Sequence, residues 1–288
     1  MPELLRMIEH RRVVAAAFDA SIDVLGGAQP ELEHLLPASE QRGERFLFAD
    51  ANAYAYWSID RHLTLVDRRA RRGLVWYVAA DEIPSWEIGR PFLLAIKGLS
   101  LATAWTPVHA AAVARGDKGV LMAGLGGAGK TSAALACVDA GWRYVGDDFV
   151  MLTGRPLRAS SLYSSARIRS DMFVRLPNAM AALREYSVDT GELKAEVDVG
   201  RLKGVRIGDA EIAAIVLPQR AGSARPIVKP VGLGSALRAL AATTFAILPG
   251  DEVALYHRVA DMLEGTPCFL FDPGADLAAV PEALERLI

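Results

Sequence analysis

A glycine-rich turn between two apolar segments constrains the fold of this chain more than any other feature. The segment Gly124–Thr131 reads GLGGAGKT and matches G-x-x-x-x-G-K-[ST] at every fixed position. Glycines let the backbone turn so that consecutive N–H groups point inward at an anion. A helix that begins near Lys130 would add the positive end of its dipole at the same place. The segment therefore predicts a phosphate-binding loop between a strand and a helix.

The sequence on either side has the pattern that such a loop requires. The runs "HAAAVA" and "GVLMAG" precede it and are typical of short buried strands. An alanine-rich helix, "GKTSAALACVDAG", follows and is closed by Gly141. The stretch "RYVGDDFVML" then returns as one strand. The order strand, glycine turn, helix, strand predicts an α/β fold with a phosphate-loop nucleotide-binding core.

The residue types in the loop indicate ATP and Mg²⁺ as cofactors. Lys130 supplies a mobile positive charge for the β- and γ-phosphates, and the Thr131 hydroxyl is a ligand for Mg²⁺. The residues predicted to bind the nucleotide are Gly124, Leu125, Gly126, Gly127, Ala128, Gly129, Lys130, Thr131 and Ser132.

Two adjacent carboxylates, Asp147 and Asp148, follow the loop after about one helix. At the end of a strand, β-propensity and mutual repulsion disfavour them unless a metal ion relieves that cost. Strand neighbours face opposite ways, so one could hold Mg²⁺ while the other accepts a proton from an attacking hydroxyl. In phosphate-loop GTPases and motor ATPases the carboxylate is single and comes later in the chain. The early pair favours a phosphotransferase with a built-in base.

Residues 1–90 differ in character from the rest. Short aromatic and β-branched runs bounded by charged turns predict a small mixed or mainly β region there. The Arg68–Arg72 cluster fits a solvated hairpin turn, or a contact with phosphate or an acidic peptide. From residue 91 the apolar spacing becomes helical in "PFLLAIKGLSLATAW", so we place the phosphate-loop domain at residues 91–288.

The segment after residue 155 carries fewer signals. We predict that "RIRSDMFVRLPNAMAALREY" begins as a strand and continues as a helix, and that "EIAAIVLPQR" and "CFLFD" are strands. Two amphipathic helices are predicted around Gly234–Ala246 and Asp251–Leu263. A C-terminal helix is predicted in "DLAAVPEALERLI", where Pro281 could break it.

Composition and charge exclude several classes of protein. The net charge is −2 and the pI is near 6.2, so no basic field would attract nucleic acid, and a nucleic-acid-stimulated ATPase is disfavoured. Two cysteines, Cys137 and Cys268, are too few for a disulfide framework. The longest apolar stretch, Pro91–Val113, is interrupted by lysine, proline and histidine. We expect a cytoplasmic protein without a membrane partner, and its oligomeric state stays open, a homo-oligomer included.

The stretch that begins at His109 resembles the kinase domain of bacterial HPr kinase/phosphorylase and its relatives. The segments "HAAAV", "GLGGAGKTS" and "GDDFVML" match that family's His-Ala-rich strand, glycine loop and Asp-Asp pair in order and spacing. The resemblance is specific from Val108 to Leu152 and does not cover residues 1–90. It implies an HPr-kinase-like fold for the phosphate-loop core.

The resemblance also implies a role for each matching residue. Lys130 and Thr131 would contact phosphate and Mg²⁺. Asp147 would be the base for a serine hydroxyl, and Asp148 the metal ligand. His109 would lie near the phosphates or the base, although a histidine at such a position is equally often a satisfied core residue.

The chain departs from the family in its downstream half. The family's glutamate leading into Arg-Gly-Leu-Gly has no counterpart, and "DVGRLKGVRIGD" is the nearest segment. The chain is thus similar to a divergent branch, some members of which phosphorylate a serine at the tail of a lasso-peptide precursor. We predict a kinase that transfers the γ-phosphate of ATP to a serine of a peptide or protein, with residues 1–90 recognising the substrate. Lys194, in a Gly-x-x-Lys turn similar to that of relatives, and Arg220 are further candidates for phosphate contact.

Two other functions stay compatible with the sequence. A phosphoenolpyruvate-carboxykinase-like or small-molecule kinase would share the loop and the carboxylates, but it usually brings further metal-binding histidines and lysines. A catalytically inactive nucleotide-binding protein is the other alternative, and the intact loop and acid pair argue against it. The five histidines, which form no evident cluster, are His10, His34, His62, His109 and His257.

Overall fold

The computed structural model describes residues 20–26, 45–49, 52–58, 62–77, 83, 85–189, 192–244 and 252–288. The chain divides into two compact units, Met1–Ala104 with Leu248–Val253 and Trp105–Ile247 with Ala254–Ile288. The change in sequence character predicts a boundary after residue 90, whereas the structural division follows Ala104. The two differ because the helix Leu93–Ser100 packs on strands of the first unit.

Within its described residues, the first unit contains one sheet of five strands. They are β1 (Ser21–Gly26), β2 (Arg45–Ala49), β3 (Ala53–Ser58), β4 (His62–Asp67) and β5 (Arg72–Tyr77). Their order is β1-β5-β4-β3-β2, and all neighbouring pairs are antiparallel except β1 with β5. Two helices follow, α1 (Ser85–Ile88) and α2 (Leu93–Ser100). The strands β2 to β5 coincide with the aromatic and β-branched runs of the sequence, whereas β1 lies outside them.

The arginine cluster forms the turn between β4 and β5, as one of its two interpretations predicts. It is only partly solvated. The side chain of Arg68 is buried, and its Nε donates to the carbonyl oxygen of Gly98 at 3.2 Å. Arg72 is exposed and pairs with Asp23 across the sheet at 2.8 Å. One arginine of the cluster therefore anchors the turn on α2.

The strands after residue 104 are β6 (Thr106–Val108), β7 (Ala110–Arg115), β8 (Lys118–Ala123), β9 (Arg143–Gly146), β10 (Val150–Thr153), β11 (Arg158–Ser161), β12 (Ser165–Arg169), β13 (Leu183–Asp189), β14 (Glu192–Asp198), β15 (Ala210–Pro218), β16 (Ile227–Val231) and β17 (Cys268–Asp272). The helices there are α3 (Lys130–Asp139), α4 (Pro177–Met180), α5 (Leu233–Thr244), α6 (Glu252–Leu263) and α7 (Val280–Glu285). None of the described helices is long and apolar enough to cross a membrane.

A mixed sheet forms the centre of the second unit. Among the described strands its order is β6-β10-β11-β15-β8-β7-β9, with β17 beside β15 and β16 beside β17. β8 and β9 both run antiparallel to β7, which lies between them, so they run parallel to each other. The helix α3 crosses over β7 to join them. Their carboxyl ends therefore meet at the same edge of the sheet.

A small antiparallel sheet, β12-β14-β13, packs against α3. Its buried face carries Ala166, Ile168, Ala195 and Val197, which join one core cluster with the apolar residues of α3. Its opposite face carries Arg167, in register with Glu196. This arrangement places a polar strip of β12 near the end of β9.

Most sequence-predicted elements are present, and two differ in detail. The stretch predicted as one strand, "RYVGDDFVML", is two strands, so that prediction is wrong. The helix predicted within "RIRSDMFVRLPNAMAALREY" is reduced to a 3₁₀ turn, Ser170–Val174, and the short α4, and the segment ends in β13. Pro281 lies in the first turn of α7 and does not break the helix, because the first helical N–H groups need no intrahelical acceptor. The end of the helix predicted around Gly234–Ala246 lies outside the described residues.

The break between β9 and β10 has a local cause. Asp148 has a left-handed backbone with φ 61°, and the N–H of Phe149 donates to the carbonyl of Asp147 at 2.7 Å, which closes a γ-turn. A Cβ atom at Gly146 would approach Val150 Cγ1 to 2.6 Å, so only glycine fits before this turn. β10 then pairs with β6 and β11 and no longer with β7.

Candidate functional site

The glycine loop, Gly124–Thr131, connects β8 to α3 at the edge where β9 also ends. Gly127 and Gly129 have φ values of 78° and 106°, which side chains rarely tolerate. Gly129 directly precedes α3 and has no side chain to cap it. The first N–H groups of α3 therefore point toward the loop and can be satisfied by an anion.

The Lys130 side chain lies folded within the loop. Its Nζ donates to the carbonyl oxygens of Gly124 at 2.7 Å and Leu125 at 3.2 Å, and the residue is 6 % exposed. Burial lowers the pKa of this ammonium, and the negative charges of Asp147 and Asp148 oppose the shift. The two acids are therefore near enough to the loop for their charges to act on its lysine.

Asp147 follows β9 directly and is 1 % exposed. Its Oδ2 accepts a hydrogen bond from the Thr131 hydroxyl at 2.8 Å and a longer one from the backbone N–H of Arg167 at 3.4 Å. Its Oδ1 is buried and has no hydrogen-bond partner among the described residues. Burial, followed by the negative charge of Asp148, raises the pKa of Asp147 to about 7, against the opposing effects of Thr131 and Lys130.

Asp148 occupies the centre of the γ-turn and is more accessible. Its Oδ1 lies 3.6 Å from Nε2 of His109, and the two side chains are 19 % and 15 % exposed. The His109 ring packs on Phe149, and its backbone N–H donates to the Thr244 hydroxyl at 3.0 Å. A non-glycine residue in this backbone region costs about 1 to 3 kcal/mol, a strain that in proteins clusters at functional sites.

The structure brings the predicted site residues together but pairs them differently from the sequence-based assignment. Thr131 and Asp148 are the predicted metal ligands, and Asp147, Lys130 and His109 are the predicted catalytic residues. The hydrogen bond of Thr131 is with Asp147, and the short contact of His109 is with Asp148. Ser132 lies in the first turn of α3 and is buried.

The two further phosphate-contact candidates lie close to the loop. Lys194, on β14, is near enough to Lys130 to lower its pKa. The Nε of Arg220 lies 3.9 Å from the position that a Cβ atom on Gly129 would occupy. Both side chains therefore add positive charge around the same centre.

Two residues that contribute hydrogen bonds to the site could not be predicted from the sequence. The backbone N–H of Arg167 donates to Asp147, and the Thr244 hydroxyl holds the backbone of His109. These partners are 20 and 135 residues apart in sequence. Nothing in the segments "SARIR" or "AATT" distinguishes these residues from their neighbours, so the sequence offers no signal for either contact.

The donor atoms of the site suit Mg²⁺. No group of three or more His, Cys, Asp or Glu side chains that could hold a metal occurs in the part of the chain that the structure describes. Mg²⁺ is usually held by one or two carboxylates together with phosphates and water, and not by a closed protein cage. The unsatisfied Asp147 Oδ1, the carboxylate of Asp148 and the Thr131 hydroxyl supply oxygen ligands of that kind.

Comparison with protein-family models and with curated proteins found no match. Among solved structures, the chain is similar to the HPr(Ser) kinase/phosphatase from Coxiella burnetii, with a TM-score of 0.33 and 20 % identity over 63 % of this chain and 88 % of that one. This similarity assigns neither a family, an activity nor a substrate to the chain. By its own architecture the chain is a mixed α/β protein with a glycine loop and twin carboxylates at one sheet edge.

Proposed function

We propose that this chain is an ATP-dependent kinase that transfers the γ-phosphate to a serine hydroxyl of a peptide or protein. The observation that carries the proposal is the 2.8 Å hydrogen bond from the Thr131 hydroxyl to the buried carboxylate of Asp147. It joins the glycine loop directly to the twin acids. Phosphoryl transfer needs an anion cradle, a metal ligand and a base around one phosphoryl group, and these residues supply all three.

The glycine loop binds the phosphates in this proposal. The backbone N–H groups of the loop and the first turn of α3 donate to phosphate oxygens, and the helix dipole adds to the attraction. Lys130 now donates to two neutral carbonyls. A phosphate oxygen is a stronger, charged acceptor, so the ammonium is expected to transfer its hydrogen bonds to the β- and γ-phosphates.

The twin acids have two different roles, proton acceptance and metal binding. Because the pKa of Asp147 is about 7, a large fraction is deprotonated at neutral pH and can accept the serine proton as the serine oxygen attacks phosphorus. The new O–P bond forms as the bond to the leaving ADP breaks. Asp148 and Thr131 would then hold Mg²⁺, which offsets negative charge on the phosphate oxygens when bound. The Thr131–Asp147 hydrogen bond is also compatible with the reverse division, in which Asp147 holds the metal and Asp148 accepts the proton.

The acceptor that we propose to test first is a serine near the tail of a lasso-peptide precursor, as the resemblance to the divergent branch implies. Residues 1–90 would contribute to its recognition. Neither nucleic acid nor a membrane is part of this proposal.

The test is transfer of labelled phosphate from ATP·Mg²⁺ to a serine peptide, with the modified residue mapped by mass spectrometry. We expect Asp147→Asn to slow transfer by about 10² to 10⁴-fold, as for loss of a general base, while ATP affinity changes little. Lys130→Ala should weaken nucleotide binding and transfer together. Asp139→Asn is the matched control, because this exposed carboxylate lies at the far end of α3. It should behave like the wild type.

The same experiment decides between the acids and between the alternative functions. A higher Mg²⁺ requirement in Asp148→Asn supports the assignment above, and an Asp147→Asn enzyme that regains transfer at high Mg²⁺ reverses it. Full activity of both variants would remove the acids from the mechanism. Transfer to small metabolites and to no peptide would identify a small-molecule kinase. ATP affinity without transfer to any acceptor would identify a nucleotide-binding protein that lacks catalysis.

A further inference from the structure

A cavity of about 500 Å³ adjoins the glycine loop. The loop backbone from Gly124 to Ala128 forms one wall. The end of β15, helix α5 and strand β17 provide the others, through Leu217, Pro218, Gln219, Arg220, Ala239 and Leu270. Its volume lies within the range of small-molecule sites, about 300 to 1,000 Å³.

The cavity and the twin acids adjoin different parts of the glycine loop. Among the described residues that line it, none is Lys130, Thr131, Asp147 or Asp148. The cavity therefore opens on the first half of the loop, while the acids adjoin the second half, where α3 begins. A chain of phosphates in the loop would have one end toward the acids and the other toward the cavity.

The cavity walls suit a mainly apolar group. Leu217, Pro218, Ala239 and Leu270 offer apolar side chains, and Ala239 leaves the space beside α5 open. A bare phosphate would gain nothing from such walls. Arg220 lines the cavity and also approaches Gly129, so its guanidinium lies where a phosphate next to a nucleoside would need a cation.

We infer that this cavity holds the nucleoside half of the nucleotide, with the base against Leu217, Ala239 and Leu270 and with Arg220 on the adjoining phosphates. The inference rests on the proposed nucleotide-dependent function and specifies how the ligand is oriented. The lining of the cavity also determines how well the chain discriminates between nucleotide bases. Within the described lining, Gln219 and Arg220 are the polar side chains, so the base is held mainly by apolar contact. ATP and GTP should then bind within about a hundredfold of each other, since apolar pockets discriminate weakly.

The test compares two ligands on the full chain by titration calorimetry with Mg²⁺: ATP and inorganic tripolyphosphate, which has the phosphates but no nucleoside. Ala239→Leu fills the cavity and keeps a good helix former in α5. It adds three carbon atoms, so it should weaken ATP binding by about tenfold or more and leave tripolyphosphate affinity unchanged. Ala241→Leu is the matched control, because this half-buried alanine of the same helix does not line the cavity. Both ligands should bind it as they bind the wild type.

Leu270→Ala removes an apolar wall without filling space, and it provides an independent variant should Ala239→Leu fail to fold. It too should weaken ATP and spare tripolyphosphate. Unchanged ATP affinity in either folded variant, or an equal loss of both ligands, would overturn the nucleoside assignment while the proposed kinase could stand. A wild-type chain that binds neither ligand would overturn the proposed function, and the assignment with it.

Discussion

Asp147 carries a titratable carboxylate that is almost completely buried beside a second one. Its pKa is raised from 3.8 to about 7, first by burial and then by the charge of Asp148. A raised carboxyl pKa means that the folded chain holds the proton more tightly than the unfolded chain does. The property that suits Asp147 to accept a proton near neutral pH therefore opposes folding at the same pH.

We predict that Asp147→Asn stabilises the chain in the absence of nucleotide, and increasingly so as the pH rises. The contribution of Asp147 to the free energy of unfolding is fully present below pH 3.8 and is lost as the pH rises to about 7, above which it is constant. Asparagine cannot ionise but can still accept the Thr131 hydrogen bond. Urea unfolding of both proteins from pH 5 to pH 8 measures the difference. A stability gap that stays constant between pH 5 and pH 7 would contradict this account.

At the scale of secondary structure elements, a buried carboxylate ties β5 to the helices that follow it. Glu87 on α1 is fully buried, and its Oε2 accepts hydrogen bonds from the Tyr77 hydroxyl at 2.8 Å and from the backbone N–H of Phe92 at 2.6 Å. Phe92 precedes α2 with a left-handed φ of 60°. Burial raises the pKa of Glu87 to about 7. This one side chain thus holds both the end of β5 and the strained entry to α2.

We predict that Glu87→Ala destabilises the first unit by about 2 to 4 kcal/mol, because it leaves two buried donors without an acceptor. Glu87→Gln keeps an acceptor oxygen of similar reach and should cost much less. Thermal unfolding at pH 6, where the native carboxyl is mostly protonated, gives the cleanest comparison. Equal losses of stability in the two variants would show that packing of the Glu87 side chain, and not its hydrogen bonds, stabilises the first unit.

At the scale of the whole molecule, the proposed nucleotide contacts all belong to the second unit. The loop, the acids and the cavity lie between Trp105 and Ile288. A ligand that binds only the folded state stabilises it by about 2.7 kcal/mol at 100 times its Kd. The stability that the nucleotide adds should therefore be localised in the second unit.

We predict that saturating ATP·Mg²⁺ slows amide hydrogen exchange in β8, the glycine loop and α3, and leaves the β4–β5 hairpin of the first unit unchanged. Exchange followed by mass spectrometry measures both regions in one sample. Lys130→Ala should abolish the protection, since it removes the mobile charge of the loop. Protection that appears first in β4 and β5 would place the nucleotide elsewhere.

Much of the second unit could be predicted from the sequence because its signals are local. Alternating and continuous apolar runs predict β7, β8, β15 and β17, and the glycine loop with its alanine-rich continuation predicts α3. The main failure has a cause that is not local. The single strand predicted through Asp147 breaks because Gly146 and the left-handed Asp148 allow β10 to leave β7 and pair with β6. Pairing partners far apart in the chain decide such a break, and periodicity does not record them.

The sequence by itself determined that a glycine loop opens a helix and that two acids follow it, because backbone freedom and helix periodicity depend on neighbouring residues. Only the tertiary structure decided that Thr131 bonds Asp147 and that His109 lies by Asp148. It also decided that Leu217, Ala239 and Leu270 line a cavity beside the loop. These contacts depend on strand order and on how α3 and α5 pack, and each joins residues that only the folded sheet brings together.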